Sequence, residues 1–181
     1  MPRRFSARLL LALGALAGAY GLYLRSGAYR NGNRLFYRDG RPNRLGRGVG
    51  RLEALLYGCG AGPSFLVALE TTGHRSGKPR VIPVVLGEFG DEQYLVSMLG
   101  ERSPWVHNIR AADGRAAIRH GSRRQVHLAE VAPEDRAPVI KAYLGRALGA
   151  RPHIPVDHDA PIEDFERIAA TYPVFRVEPP G

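Results

Sequence analysis

The order of short apolar segments predicts a mainly β domain with helical inserts, an α+β protein built around a small barrel. Several brief runs rich in valine, isoleucine and leucine are bounded by glycine, proline and acidic turn residues. Strands and helices do not alternate as βαβ units, and no glycine-rich phosphate loop follows the first strand. Both points argue against a doubly wound dinucleotide fold.

The chain divides into three parts. Residues 1–25 form an N-terminal apolar unit, 26–50 a basic linker, and 51–181 the folded domain. In the first part, Arg3, Arg4 and Arg8 precede an apolar run from Leu9 to Leu24, with Tyr20 and Tyr23 at its end as interfacial anchors. The run is about 16 residues, shorter than a comfortable bilayer span. Three readings stand: a short membrane-associating helix, a cleaved secretory signal ending near Ala15-Leu16-Ala17, and a helix packed on the domain. Arg25, Arg30, Arg34, Arg38, Arg41, Arg44, Arg47 and Arg51, opposed by Asp39, make a dense basic flank. That flank favours anchoring, with the downstream side on the cytoplasmic face of the cell membrane.

A short helix is expected over Arg51–Tyr57. The first strand is expected over Phe65–Leu69, and the second over Val81–Leu86, interrupted by Pro83. After a turn at Gly87–Asp91, a third strand covers Tyr94–Met98. Ser103-Pro104 reads as an N-cap followed by proline at the first helical position, opening a helix that stops near Asp113-Gly114. Ala116–His120 and Gln125–Val131 pair as a hairpin around Gly121-Ser122. Helices follow over Pro133–Leu148 and Ile162–Thr171, and Val174–Val177 is the last strand.

Composition bounds the function. The chain has 181 residues, 44% hydrophobic and 24% charged, which describes a globular protein and excludes a disordered one. Its net charge of +9 comes almost wholly from arginine, Lys78 and Lys141 being the lysines. Such charge attracts phosphates, polycarboxylates or anionic lipid. The arginines are scattered and no nucleic-acid module appears, so nucleic acid is not expected as a partner. The single cysteine, Cys59, excludes an intrachain disulfide framework.

Chemistry concentrates in two places. Thr71-Thr72-Gly73-His74-Arg75-Ser76-Gly77-Lys78-Pro79-Arg80 crowds four cationic or titratable side chains between two strands. Its glycines and exposed amides suit an anion-binding concavity, and Arg80 suits bidentate binding of phosphate or carboxylate. The plainer reading is a solvated hairpin in a basic protein. The second place is Ser103–Arg110, where Trp105, Asn108 and Ile109 share a helical face. There Trp105 either packs a flat ring system, with Asn108 at its polar edge, or anchors a core helix. His153, Asp157, His158 and Asp159 read as a polar loop, with no metal expected.

The order Thr-Thr-Gly-x-x-Ser-Gly-x-Pro-Arg, then Pro83, a strand ending in Ser97, Pro104-Trp105 and Asn108 resembles the deazaflavin-dependent nitroreductase and quinone reductase family. The resemblance covers about residues 52–179. It implies a split β-barrel of the flavin/deazaflavin-binding type, holding coenzyme F420, an 8-hydroxy-5-deazaflavin. Reduced coenzyme would pass hydride to a lipophilic acceptor such as a quinone, enone or nitro compound.

Carried onto this chain, the resemblance implies that His74, Arg75, Ser76, Gly77, Lys78, Arg80 and Pro83 surround the coenzyme, with Lys78 and Arg80 on its phosphate and acidic tail. Trp105 and Asn108 would line the deazaflavin pocket, and Ser97 would stand on the substrate side. No catalytic acid is assigned; His107, Tyr172 and water are the candidate proton sources. The chain departs from the family in having His74-Arg75 where relatives commonly have Arg-Lys, and Met98 where a basic residue is frequent. An FMN-dependent oxidoreductase, and a non-catalytic barrel binding a lipid or tetrapyrrole, are the alternatives. Barrels of this class often dimerise, so a homodimer is admitted as a partner, although no segment fixes an interface.

Overall fold

The computed structural model describes residues 36–38 and 41–180. The apolar run from Leu9 to Leu24 lies outside them. Among the described residues, no helix is long and apolar enough to cross a membrane.

Two short strands, β1 (Tyr37–Arg38) and β2 (Arg41–Pro42), pair as a ribbon. Helix α1 (Arg44–Gly58) follows at once, with Asn43, next after β2, as its cap. The Asn43 side chain accepts from the Gly46 amide at 2.9 Å and so caps it. Gly46 is required there, because a Cβ would stand 2.3 Å from the Phe36 carbonyl oxygen. The helix expected over 51–57 therefore also takes in residues 44–50, read from sequence as linker. The glycines at 46, 48 and 50 hid it.

The remaining strands are β3 (Leu66–Thr72), β4 (Pro79–Val85), β5 (Gly87–Phe89), β6 (Glu92–Val96), β7 (Arg115–His120), β8 (Ser122–Glu130) and β9 (Val174–Glu178). They form one antiparallel sheet in the order β4-β3-β7-β8-β9-β6-β5. The sheet curls until β4 also meets β6, giving the split-barrel form. Pro83 fits within β4 because that strand is an edge, where a missing amide costs little. The stretch expected to be a turn at 87–91 is instead partly strand: Gly87 pairs with Tyr94, and only Gly90-Asp91 turns. The 115–130 hairpin is tighter than expected, His120 facing Ser122 across Gly121.

Strand alternation divides the core. Leu95 and Phe175 face the barrel interior with Val67, Leu69, Ile118, Val126 and Leu128. Their neighbours Tyr94, Val96 and Val174 face the other way, against α3 (Arg136–Arg146) and α4 (Ile162–Ala169), where Ile140, Leu144 and Phe165 are buried. Helix α2 (Pro104–Ala111) packs Val106 and Ile109 into the barrel cluster. Pro104 stands at its first position as expected. Ser103 makes no side-chain cap, because its hydroxyl is engaged elsewhere.

Candidate active site

Thr71 faces Arg80 and Thr72 faces Pro79 at the ends of β3 and β4, and residues 73–78 turn between them. The Gly73 amide donates to the Lys78 carbonyl at 2.9 Å; the Gly73 carbonyl accepts from Ser76 at 3.1 Å and from Gly77 at 2.8 Å. Gly77 has φ of 63°, a left-handed conformation that suits glycine. At Gly73, an added Cβ would lie 2.7 Å from Ser76 Oγ and 3.3 Å from the Lys78 carbonyl oxygen.

These bonds correct one expectation. The amides of Ser76 and Gly77 point into the turn and the His74 amide is taken by Asn108, so they form no open anion-binding concavity. Ser76 Oγ accepts weakly from the Lys78 amide at 3.4 Å. Anion binding here falls to side chains. Arg75, Lys78 and Arg80 are exposed, and none pairs with a carboxylate among the described residues. Several arginines elsewhere are neutralised: Glu70 holds both Arg119 and Arg123 at 2.7 Å, and Glu178 holds Arg176. Unscreened cations projecting together are what a phosphate or polycarboxylate requires.

Asn108 fastens this hairpin to α2. Its Oδ1 accepts from the His74 amide at 3.0 Å and lies 2.9 Å from His74 Nδ1; its Nδ2 donates to Thr71 Oγ1 at 3.1 Å. Asn108 is buried, and these contacts occupy its carbonyl and one of its two amide hydrogens. It acts first as a strut between helix and hairpin, with little left for a ligand's polar edge. Thr71, its hydroxyl partner, opens the motif read from sequence, but its pairing with Asn108 was not read there, because 37 residues separate the two.

Trp105 is half-buried, its ring 5.3 Å from that of Phe175 and tilted by 56°. It anchors the helix to the barrel core and leaves part of its ring uncovered. Ser97 is buried and its hydroxyl is engaged within the fold. It is 1% exposed, donates to the Gly100 carbonyl at 2.8 Å, and lies 2.6 Å from Ser103 Oγ. Its hydroxyl braces the entry to α2. Pro83 lies on the other side of the sheet from Ile82 and Val84: those two pack on the barrel core, whereas the Pro83 ring stands against Gly50 of α1.

The position of α2 is set at its far side by ions. Arg110 reaches Glu101 at 2.6 and 2.9 Å and Glu130 at 2.6 and 2.8 Å. Buried Arg136 adds a bond to Glu130 at 3.0 Å and one to the Val131 carbonyl at 2.8 Å. Hydrogen bonding to Arg110 holds the Glu101 carboxyl below its usual pKa, and the two carboxylates push the Arg110 guanidinium further up. Sequence reading missed this cluster, whose members are nine and twenty residues apart.

Of the candidate proton sources, His107 lies beside the hairpin, its ring 5.9 Å from that of His74. Tyr172 is committed elsewhere: its hydroxyl donates to the His153 carbonyl at 3.1 Å, and burial raises its pKa. Asp157, His158 and Asp159 cluster on the surface, where the histidine bonds both neighbours. His153 is not among them; its ring stands edge-on to Tyr37 at 4.5 Å.

The family model for F420H2-dependent quinone reductases matches residues 56–148, half of the chain, and contains the hairpin, the Asn108 strut and the arginine cluster. The chain belongs to the F420H2-dependent quinone reductase family. It is accordingly an oxidoreductase that uses coenzyme F420. No curated protein matches it significantly.

Solved structures resemble this reductase in part. An F420H2-dependent reductase, FDR-A, is 21% identical over 63% of this chain and 94% of its own, with a TM-score of 0.41. A structure described as an F420 reductase is 17% identical over 65% and 87%, with a TM-score of 0.39. A protein of unknown function from Agrobacterium tumefaciens is 16% identical over 80% and 57%, with a TM-score of 0.47. The family match, and not these distant likenesses, carries the assignment. The chain's donor set fits the coenzyme: a phosphate and acidic tail would meet three cations, at and just after a fixed turn, that pair with no carboxylate among the described residues.

Proposed function

We propose that this F420-dependent reductase passes hydride to a lipophilic acceptor, a quinone foremost, at the cytoplasmic face of the cell membrane. The observation that carries the coenzyme part of the reading is the strutted cationic hairpin, in which Arg75, Lys78 and Arg80 lack carboxylate partners among the described residues while Asn108 fixes the turn. In this reading Arg80 grips phosphate or carboxylate through its two-pronged guanidinium, and Lys78 and Arg75 supply mobile positive charge. The hydride comes from the bound reduced deazaflavin, whose carbon centre favours two-electron transfer.

The chain's own task is to hold and orient. Trp105, fixed against Phe175, offers a rigid apolar surface beside the hairpin's helix. His107, exposed next to His74, is a side chain beside the hairpin that can carry a proton to a reduced acceptor. The lipophilic acceptor and the membrane location rest on the family's quinone chemistry and on the sequence of residues 1–51, an apolar run followed by arginines.

Fluorescence titration with F420, alongside an Arg80→Ala variant, tests the reading. Micromolar binding that weakens at least tenfold in the variant is expected, since a charge-assisted bidentate bond is worth roughly 1.5–3 kcal/mol. Equal binding by both proteins would remove Arg80 from the site. A menaquinone analogue reduced no faster than a water-soluble nitro compound would overturn the quinone preference.

A further inference from the structure

Helix α1 is apolar on the wrong side as well as the right one. Its packed face carries Ala54 and Gly58, the latter close enough to the sheet that a Cβ would meet Ala68 Cβ at 3.6 Å. A surface helix with that buried face should be polar opposite it. Instead Leu45, Leu52 and Leu55 stand there 57%, 54% and 63% exposed, within an arc of about 80° at helical spacing. Val81 on β4 continues the patch at 47% exposed. Between helix and sheet lies an open groove of about 320 Å³, lined by Arg51, Ala54, Leu55, Gly58, Val81 and Arg119 among others.

Arginines rim this patch. Arg44 and Arg51 fall on one flank of the leucines, exposed and without an ion pair among the described residues, and Arg47 only donates to the Pro42 carbonyl at 2.9 Å. The rim disfavours an antiparallel pairing of two copies. An antiparallel twofold contact through the leucines would set Arg44 and Arg51 of one protomer near those of its partner, with the one acidic residue on the helix, Glu53, on the opposite flank. An anionic bilayer supplies what the patch lacks: apolar depth for the leucines and phosphate charge for the arginines.

We propose that α1 is an interfacial docking helix, laying Leu45, Leu52 and Leu55 into an anionic lipid surface and thereby fixing which face of the domain meets the membrane. The inference rests on the membrane reading above but assigns the contact to the folded domain, in addition to the N-terminal run. Each leucine sunk into the acyl boundary, with the arginines at phosphate depth, makes the helix lie parallel to the membrane plane.

The test uses the full-length protein and vesicles of equal parts phosphatidylglycerol and phosphatidylcholine. A spin label is placed at Leu52→Cys in a Cys59→Ser background, with a second label at Arg124→Cys as the aqueous control. Flotation with the vesicles, together with a Leu52 label several-fold more accessible to oxygen than to a water-soluble nickel chelate, is expected. A Leu52→Glu variant should bind these vesicles about tenfold more weakly yet reduce a water-soluble acceptor at the unaltered rate.

Flotation with an aqueous Leu52 label would overturn the docking role of α1 while leaving the N-terminal anchor standing. Absence of flotation would overturn both. Dipolar broadening between Leu52 labels, or shielding of that label before vesicles are added, would give the patch to a second copy or to the chain's own residues 1–35, and would equally refute the proposal.

Discussion

Asn108 Oδ1 accepts from the backbone amide of His74 at 3.0 Å and stands 2.9 Å from the same residue's ring Nδ1. The amide can only donate, so the Asn108 atom is the oxygen and not the nitrogen. An oxygen of that kind only accepts, and so Nδ1 carries the ring hydrogen. In neutral His74 the free lone pair is therefore on Nε2. Nitrogen-resolved NMR of the histidine rings should find His74 as the Nδ1–H tautomer, and Asn108→Ala should release it toward the Nε2–H form usual in water. A wild-type His74 protonated at Nε2 alone would refute the assignment.

The same strut carries stability and binding. Asn108→Ala leaves the buried Thr71 hydroxyl and the His74 amide without their partner, at a cost of about 1–3 kcal/mol. Denaturant unfolding should report that loss, and F420 affinity should fall although Asn108 retains little capacity to bond a ligand. Unchanged affinity in a destabilised variant would separate the hairpin's position from coenzyme binding.

Arg110 is the ionic counterpart on the outer side of α2. Arg110→Leu removes the partner that holds the Glu101 carboxyl low, so the acid dependence of stability should change with it. A carboxylate with a depressed folded pKa contributes stability above its unfolded value and loses it as pH falls through the folded one. Wild-type protein should thus lose stability below about pH 4.5 more steeply than the variant does. The pair is half exposed and screened, so the difference is about 1 kcal/mol or less at moderate salt and shrinks as salt is added. Parallel acid titration curves would show that the cluster positions α2 without stabilising it.

Much of this molecule was legible in the sequence where local rules act. Val81–Leu86, Tyr94–Met98 and the 116–131 hairpin announced themselves by β-branched runs between turns, and Pro104 marked the start of α2. The split barrel came from a motif whose cations do gather on one turn. Side-chain bonds set by the folded chain were not legible. The Ser97 hydroxyl looked available to substrate because the tight turn at Gly100–Arg102, which folds Gly100 and Ser103 back onto it, carries no clear sequence signal. The first half of α1 was hidden by three glycines, tolerated because Gly46 lets the β1–β2 ribbon approach.

A side chain at Gly73 should distort the turn. The Cβ of Gly73→Ala would meet Ser76 Oγ, which can rotate away, and the Lys78 carbonyl, which belongs to the bond that closes the turn. Opening that bond spreads Lys78 from Arg80. The variant should fold, with stability lowered by about 1 kcal/mol, typical of a strained single substitution, and should bind F420 several-fold more weakly. Gly77→Ala is a useful comparison. Its space is open, and only its left-handed φ opposes a side chain, at about 1–2 kcal/mol. Equal loss of affinity in both would mean that flexibility, not the separation of the two cations, governs binding.

His153 gives the clearest pH signature. Burial lowers its pKa from 6.5 to about 4, so the folded protein holds it neutral against Tyr37. Between those values the unfolded chain binds a proton that the folded chain refuses. Stability is then complete above about pH 6.5 and falls as pH drops toward 4, by at most about 3 kcal/mol. His153→Phe keeps an aromatic ring near Tyr37 and removes the titration. Its midpoint in urea should be flatter between pH 6.5 and 4 than that of the wild type, after allowance for any constant offset. A wild-type midpoint that does not move across this interval would mean that His153 is protonated in place, and that the packing of its ring on Tyr37 does not exclude charge.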